Sequence, residues 1–172
     1  STPIGNLEDI SLRALRLLKE ADLIAAEDTR RTAKLLAHYG ILTPTISFHA
    51  HNTRSRVPQL IDRLRRGDRI ALVTDAGTPG VSDPGVELVA ACAAHGIPVD
   101  PIPGASAALA AATASGFSLE PLTILGFAPI RANNRRLWIN QIQATNHTMV
   151  FFEAPHRITR TLADLRTYLG TR

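Results

Sequence analysis

The chain has 172 residues, and its 19 basic and 15 acidic side chains give a formal net charge of +4 at pH 7. No apolar run approaches the roughly 20 residues that a membrane-spanning helix needs, which excludes such a helix within this stretch. The single cysteine, Cys92, cannot form an internal disulfide. We therefore expect a cytoplasmic protein.

Basic side chains are concentrated in one part of the chain. Between residues 29 and 67 a single acid, Asp62, accompanies eight of them: Arg30, Arg31, Lys34, Arg54, Arg56, Arg63, Arg65 and Arg66. A second cluster contains Arg131, Arg135 and Arg136. Such patches suit an anionic partner such as RNA. A solvated helix face rich in arginine would give the same pattern.

Hydrophobic periodicity predicts alternating helices and strands in the first two thirds of the chain. The predicted elements are an amphipathic helix at 7–21, a strand at 23–27, a helix from 29 to about 39, a polar loop at 48–52, a helix at 57–67, a strand at 69–74, a helix at 84–96, a strand at 97–102 and a helix ending at 115. Asp28 or Thr29 is predicted to cap the second helix. Pro98 and Pro101 place the strand at 97–102 near an edge.

The last third repeats the alternation with a strand at 122–127, a helix at 134–142, a strand at 148–152 and a helix at 155–169. Strands that alternate with helices predict an α/β fold, a mostly parallel open sheet with flanking helices. We interpret residues 1–117 as one domain and 121–172 as the start of a second α/β domain. The second has too few elements to bury a sheet by itself, so we expect it to be incomplete.

The loop at 75–85 is the most informative segment. Its eleven residues contain three glycines and two prolines, and they follow an apolar strand and precede a helix. Long loops in α/β units are usually functional, and open sheets bind ligands where their strands end. With the turn at 103–106 this loop is predicted to form two walls of a pocket. Neither segment contains lysine or a phosphate-binding glycine motif, so a nucleoside or cationic ligand fits best. Two structural turns are the alternative.

Acids also follow two other predicted strands. Glu27 and Asp28 precede Arg30 and Arg31, and Glu153 precedes His156 and Arg157. These residues are candidates for chemistry, and helix caps with surface arginines are the alternative. The pair His49 and His51 is a weak metal signal, because no cysteine set and no H-E-x-x-H motif accompanies it. We expect no metal.

Six motifs occur in order along nearly the whole chain: TPIGNLEDI at 2–10, AEDTR at 26–30, FHAHN at 48–52, TDAGTPGVSDPG at 74–85, PGAS at 103–106 and FEAPHR at 152–157. Together they closely resemble the bacterial small-subunit (16S) ribosomal RNA cytidine-2′-O-methyltransferases of the tetrapyrrole-methylase-like superfamily. Any one motif is modest evidence, whereas six in register are highly specific. The resemblance implies the tetrapyrrole methylase fold, a class III S-adenosylmethionine methyltransferase of two α/β domains, and usually a homodimer.

The resemblance also implies site residues. S-adenosylmethionine would be held by Ile4, Asp75, Gly77, Thr78, Pro79, Val81, Gly104, Ala105, Ser106, Ala107 and Phe152. The implied substrate is the ribose 2′-hydroxyl of a cytidine in the 16S rRNA of the small ribosomal subunit. That hydroxyl gains from a nearby base, for which Glu27, Asp28 and Glu153 are candidates, with His156 as a fourth. Arg30, Arg31, His156 and Arg157 would contact the RNA.

Three other functions compete with this interpretation. Carbon methylation of a porphyrin-like molecule belongs to the same superfamily, but the basic region at 29–67 argues against it. A haloacid-dehalogenase-like phosphatase needs a second acid two residues after Asp75, where this chain has Gly77. A non-catalytic RNA-binding module would leave the loop at 75–85 without a purpose, and donor binding distinguishes it.

Overall fold

The computed structural model describes residues 1–170 and divides into two compact units, Ser1–Ala107 and Ala108–Arg172. The division falls at the start of a short helix of small residues, α5 (Ala107–Ala114). The sequence assigned that helix to the first domain, whereas its contacts group most of it with the second unit. The domain boundary near residue 117 stays a prediction. Across residues 1–170, no helix has both the length and the apolar character needed to cross a bilayer.

The first unit is built on a three-stranded parallel sheet. Its strands are β1 (Leu23–Ala26), β2 (Thr45–Ser47) and β3 (Ile70–Val73), in the order β2-β1-β3. From β1 the chain connects to β2 on one side of β1, and from β2 it crosses over to β3 on the other side of β1. These two connections run in opposite directions, which places helices on both faces of the sheet. The predicted mostly parallel α/β sheet is confirmed.

Four helices cover this sheet: α1 (Leu12–Glu20), α2 (Thr29–His38), α3 (Thr53–Arg65) and α4 (Val86–Ala94). The central strand β1 is buried along its whole length. Ile24 and Ala26 pack into the core cluster that contains residues of α1 and α2. Leu23 and Ala25 pack into the opposite cluster with residues of α3 and α4. Alternate side chains of β1 therefore face opposite helical layers.

Local capping explains where two helices begin. The Ser11 hydroxyl accepts the Ala14 N–H (3.1 Å), which starts α1 and separates it from a 3-10 turn at Leu7–Asp9. The single helix predicted at 7–21 is therefore two elements. The Asp28 carboxylate accepts the Arg30 N–H (2.9 Å) and caps α2, so Asp28 rather than Thr29 is the cap of the two that the sequence predicts.

One strand predicted in the first unit is absent, and one strand that is present was not predicted. Residues 97–102 form no strand, because Pro98 and Pro101 have no N–H to donate to a ladder. Ile97 and Ile102 instead pack against the two core clusters from an irregular segment. Conversely β2 was missed, because it is only three residues long and two of them are polar.

The second unit contains a two-stranded parallel sheet, β4 (Leu122–Phe127) and β5 (Thr148–Phe152), at the predicted positions. Two helices accompany it, α6 (Ala132–Ala144) and α7 (Ile158–Leu169). The core consists of Ala128, Trp138, Ile139 and Ile142, with Leu125, Met149, Phe151, Leu165 and Leu169 packed against them. The helix predicted from residue 155 begins only at Ile158.

Candidate active site

The carboxyl ends of the three parallel strands bring together polar residues that are distant in sequence. β1 ends at Ala26, which pairs with Ser47 of β2 and Val73 of β3. The segments that follow the strands therefore share one edge of the sheet: Glu27 and Asp28 after β1, residues 48–52 after β2 and the loop at 74–85 after β3. This edge is where open α/β sheets bind ligands.

Two acids connect the ends of β1 and β3 by reciprocal hydrogen bonds. The Asp75 N–H donates to Glu27 Oε2 (3.2 Å), and the Asp28 N–H donates to Asp75 Oδ1 (3.1 Å). The acid that follows β1 thus accepts an N–H of the segment after β3, and the acid that follows β3 accepts an N–H of the segment after β1. Glu27 and Asp75 fix the start of the loop at 74–85 and keep further acceptor positions, since an ionised carboxylate has about four lone-pair sites.

Asp83 belongs to the same acidic group, although it comes from the far end of the long loop. Burial raises its pKa, the charges of Glu27 and Asp75 raise it further, and a hydrogen bond with Thr74 lowers it, which gives a pKa of about 6. The preceding residue, Ser82, has a φ of 65°, in the left-handed region that residues other than glycine rarely adopt. The loop therefore presents a carboxylate that binds a proton more tightly than a free aspartate.

The arginines at the start of α2 are paired with acids. Arg30 donates through Nε and Nη2 to the two carboxylate oxygens of Asp28 (3.0 and 2.7 Å), and these bonds hold the pKa of Asp28 well below its usual range. Arg31 Nη1 lies 3.4 Å from Asp75 Oδ2. Both guanidinium groups are largely exposed, and exposed ion pairs are weak. Arg30 and Arg31 therefore remain accessible to an anionic ligand.

The N-terminal residues pair with the long loop. Thr2 and Gly77 exchange two backbone hydrogen bonds (2.8 and 3.0 Å), and the Thr2 hydroxyl donates to Thr74 O (3.0 Å). Gly77 has a φ of 80°, which a side chain would strain. Thr2 is buried. The path of the loop over the sheet edge is thus fixed by the N-terminal segment.

Ser1 connects the two predicted pocket walls. Its hydroxyl lies 2.8 Å from the Thr78 hydroxyl in the loop, and its backbone nitrogen donates to Ile102 O (3.0 Å), just before the turn at 103–106. A Cβ atom placed on Gly104 would lie only 2.8 Å from Ser1 Cβ. A glycine is therefore required where the turn passes the N-terminal segment.

Three segments converge beside Gly77. A Cβ atom at this glycine would lie 3.7 Å from Ile4 Cγ2 and 3.8 Å from Ala105 O. The resemblance assigns all three residues to one ligand, and that assignment stays a prediction; the structure shows that their segments meet beside Gly77. A neighbouring cavity of about 160 Å³ lies between the N-terminal turn and α2. Because typical ligand pockets are about 300 Å³ or larger, this cavity alone is not a complete ligand site.

The loop at 48–52 is held by Asn52. Its Oδ1 accepts the His49 N–H (2.9 Å), while its Nδ2 donates to Ser47 O (3.1 Å) and lies 3.2 Å from His49 Nε2. His49 Nε2 is therefore the acceptor and Nδ1 carries the proton. That Nδ1 is buried and has no partner within residues 1–170. In the same range, no group of three or more His, Cys, Asp or Glu side chains could hold a metal ion.

In the second unit, Glu153 follows β5 and is enclosed by its own unit. Its side chain is 1% exposed and accepts hydrogen bonds from the Thr161 hydroxyl (2.6 Å), the Ala154 N–H (2.8 Å) and Arg157 Nη2 (3.1 Å). Burial raises its pKa, but these hydrogen bonds and the charges of Arg157 and Arg135 together lower the pKa below its usual value of 4.5. Glu153 is thus a firmly ionised anchor for the start of α7.

The neighbours of Glu153 have different surroundings. The Arg157 side chain also donates to Ala128 O (2.6 Å). Its hydrogen bonds to Ala128 and Glu153 thus both stay within the second unit. His156 is exposed. Phe152 stacks on Phe127 with ring centroids 5.4 Å apart.

The predicted site residues are therefore divided between two units. The first unit holds Ile4, Glu27, Asp28, Arg30, Arg31, Asp75, Gly77, Thr78, Pro79, Val81, Gly104, Ala105, Ser106 and Ala107, and the second holds Phe152, Glu153, His156 and Arg157. Asp83 is absent from the residues that the sequence predicts for the site, although it belongs to the acidic group. An acid inside a loop rich in glycine and proline was the signal that could have found it.

Comparison with protein families identifies the chain's relatives. The family model of Tetrapyrrole (Corrin/Porphyrin) Methylases matches residues 1–172. The chain belongs to this family. This membership agrees with the α/β fold and removes the phosphatase alternative. Among tetrapyrrole methylases, relatives named "Ribosomal RNA small subunit methyltransferase I" are 51% identical in Halalkalibacterium halodurans and 49% identical in Synechocystis.

These relatives are longer than the chain. The alignments cover 100% and 99% of it but only 60% and 61% of the two relatives, so the chain spans about three fifths of their length. A crystal structure of uroporphyrin-III C-methyltransferase from Thermus thermophilus, complexed with S-adenyl homocysteine, matches with a TM-score of 0.59 at 21% identity. That match covers 98% of this chain and 74% of the other, and it supports the fold.

Proposed function

We propose that the chain is the donor-binding and catalytic part of an enzyme that transfers a methyl group from S-adenosylmethionine to the ribose 2′-hydroxyl of a cytidine in 16S rRNA. The observation that carries the proposal is the convergence of Ile4, Gly77 and Ala105 on one point at the sheet edge. The high identity to relatives named as small-subunit ribosomal RNA methyltransferases supports the substrate class.

The residues around Gly77 fit an adenosyl ligand. Gly77 leaves room that a Cβ atom would fill, Ile4 supplies an apolar surface, and Ala105 supplies a backbone carbonyl acceptor. Thr78 adds a hydroxyl within the same loop. Glycine backbone allows such a ligand to approach closely. When bound, S-adenosylmethionine supplies a methyl group on a sulfonium, a good leaving group, so the protein contributes mainly alignment.

We assign the other residues predicted to bind S-adenosylmethionine to the same site. Asp75, Pro79 and Val81 belong to the loop that presents Gly77, and Ser106 and Ala107 extend the turn that contains Gly104. Phe152, in the second unit, is assigned to the donor by the resemblance alone.

The proton acceptor for the ribose hydroxyl is proposed to be Asp83, supported by Glu27. A base works best when its pKa lies near the working pH, and Asp83 has a pKa of about 6. Asp28 is a weaker candidate, because Arg30 holds its pKa low. Glu153 is also weaker, because its carboxylate is enclosed and hydrogen-bonded.

Arg30 and Arg31 are proposed to contact RNA phosphates, since exchanging a weak exposed ion pair for a phosphate costs little. In the second unit we assign exposed His156 to the RNA and Arg157 chiefly to positioning Glu153. A homodimer and a location in the cytoplasm, where ribosomal subunits are assembled, complete the proposal.

Calorimetric titration with S-adenosylmethionine tests the donor site, using the protein expressed from its full reading frame. Thr78→Arg should abolish the binding heat, because the larger side chain fills the space beside Ser1 and Gly77. Leu42→Arg adds the same charge at a side chain that is 97% exposed and should bind normally. Unchanged donor affinity in Thr78→Arg would contradict the placement, and absence of binding by the wild type would overturn the function.

A further inference from the structure

Basic side chains at the start of α3 lie at the same sheet edge as the candidate active site. α3 follows β2 through the loop at 48–52, and its first turn contains Arg54 and Arg56 but no acidic residue. His51, at the end of that loop, is exposed. We refer to His51, Arg54 and Arg56 as the α3 basic cluster. Within the described part of the chain neither arginine forms an ion pair, and the Arg56 side chain donates only to the neutral Gln59 (2.9 Å).

The other arginines at the candidate site differ in this respect. Arg30 is paired with Asp28, and Arg31 lies near Asp75. The folded chain neutralises part of their charge. The α3 basic cluster has no such compensation and is therefore the stronger attractor for an external anion.

The position of these charges is unfavourable for the helix itself. The N-terminal end of an α-helix carries a partial positive charge, so cations in the first turn destabilise it. The capping residue does not offset this cost, because the Asn52 side chain makes no cap hydrogen bond and holds the preceding loop instead. Sequences usually break such local rules where function requires it. A negative ligand would remove the conflict.

The turn that presents the cluster is already ordered. Asn52 bonds to Ser47 and His49, and the Thr53 hydroxyl donates to His49 O and Ala50 O (both 3.1 Å). These side-chain bonds hold the turn in place before any ligand binds.

We propose that the α3 basic cluster binds phosphates of the single-stranded RNA beside the target nucleotide. This assignment rests on the proposed function. β2 is hydrogen-bonded to β1, and neighbouring strands lie about 4.8 Å apart. Asn52, which precedes α3, bonds to Ser47 at the end of β2 (3.1 Å), so the start of α3 lies at the same sheet edge as Glu27 and Asp28. Arginine suits this role because its planar group donates two hydrogen bonds to one phosphate.

The test compares the two ends of α3 in the protein expressed from its full reading frame. The double variant Arg54→Gln and Arg56→Gln removes two charges from the first turn. The control, Arg65→Gln and Arg66→Gln, removes from the other end of the helix two exposed charges that form no ion pair within residues 1–170. The helix dipole predicts that the first variant stabilises the helix and the control destabilises it. Unfolding therefore cannot imitate the expected result.

Equilibrium binding is measured for a protein-free 16S rRNA fragment and for 30S subunits, at several salt concentrations. The first-turn variant should lose about tenfold in affinity for both, and its slope of log K against log salt should fall by about 1.4, or about 0.7 for each lost phosphate contact. The affinity of the control variant for RNA should change less than about twofold, because it loses no phosphate contact. Affinity for S-adenosylmethionine should be the same in both.

Each other outcome has a distinct meaning. Equal losses at both ends of α3, or no loss at the first turn, would overturn the phosphate-binding surface. A loss for 30S subunits with unchanged affinity for the protein-free RNA would assign the cluster to an acidic ribosomal protein and would also overturn it. If the wild type binds RNA with the expected salt dependence but transfers no methyl group, the surface stands and the proposed function fails.

Discussion

Asp83 in the first unit and Glu153 in the second are both acids beyond the end of a parallel strand, and their surroundings are opposite. Glu153 receives hydrogen bonds from Thr161, Ala154 and Arg157, which lower its pKa despite burial. Asp83 is partly buried beside two further carboxylates, and its pKa rises to about 6. Matched donors make a carboxylate an anchor, whereas like charges make it a proton acceptor.

The largest expected effect is on methyl transfer. Asp83→Asn should lower the rate of transfer to 30S subunits by about 100-fold, the lower range for general-base catalysis. In the wild type the rate should rise as the pH passes through about 6 and Asp83 loses its proton. The variant should lose that pH dependence. The measurement is single-turnover transfer of labelled methyl from pH 5 to 8 in the protein expressed from its full reading frame.

Asp100→Asn provides the matched control for this rate measurement. Asp100 is an exposed carboxylate paired weakly with Arg13. Its rate and pH profile should equal those of the wild type. If Asp83→Asn behaves like this control, Asp83 is not the base, and the contrast between the two units has no catalytic meaning.

The second effect is on stability. Glu153→Gln should destabilise the protein by about 3 kcal/mol, since it removes one partner from a buried ion pair and leaves Arg157, only 22% exposed, without its carboxylate partner. Because the pKa of folded Glu153 lies below 4.5, its contribution is present above that pH and is lost as the pH falls below it. Urea unfolding at pH 7 and pH 3.5 measures both statements.

Asp164→Asn is the control in the same network. Its carboxylate forms an ion pair with Arg135 (2.8 Å) but is 34% exposed, far more than Glu153, so the loss should be about 1 kcal/mol or less. Equal losses of stability in the two variants would show that the burial of Glu153 does not strengthen its ion pair with Arg157.

The elements that the sequence predicts correctly are those determined by local pattern. The strands at 122–127 and 148–152 are apolar runs with clear ends, and Asp28 caps α2 as its position before Thr29 suggests. β2 could not be predicted this way, because three residues become a strand only by pairing with the buried β1. Residues 97–102 are apolar enough for a strand, but two prolines prevent the pairing.

The candidate site shows the same limit. Sequence motifs located both the long loop and the turn at 103–106, but contact through Ser1 and Gly77 is visible only in three dimensions. The pKa of Asp83 depends on Glu27 and Asp75, which other strands supply. Glu153 matched the sequence pattern of a catalytic acid, and only its hydrogen bonds with Thr161 and Arg157 in the folded chain reveal its anchoring role.

The smallest expected effect is a gain in stability at the site itself. Folded Asp83 has a pKa of about 6 against 3.8 for a free aspartate. Above pH 6 the Asp83 carboxylate is ionised in both states, and its charge destabilises the folded state relative to the unfolded one. Asp83→Asn should therefore stabilise the protein at pH 8 by about 1 kcal/mol, after allowance for solvent screening. The gain should shrink as the pH falls from 6 to 4 and vanish below 3.8, where both states are protonated.

Thermal unfolding of wild type and variant from pH 3.5 to 8 measures this gain, with Asp100→Asn expected to show a small difference of about 0.5 kcal/mol or less. A destabilising effect of Asp83→Asn at pH 8 would mean that Asp83 is an anchor like Glu153. A stabilising effect combined with the loss of methyl transfer would place Asp83 among residues whose function costs stability, because the like charges that make it a better proton acceptor also weaken the fold around it.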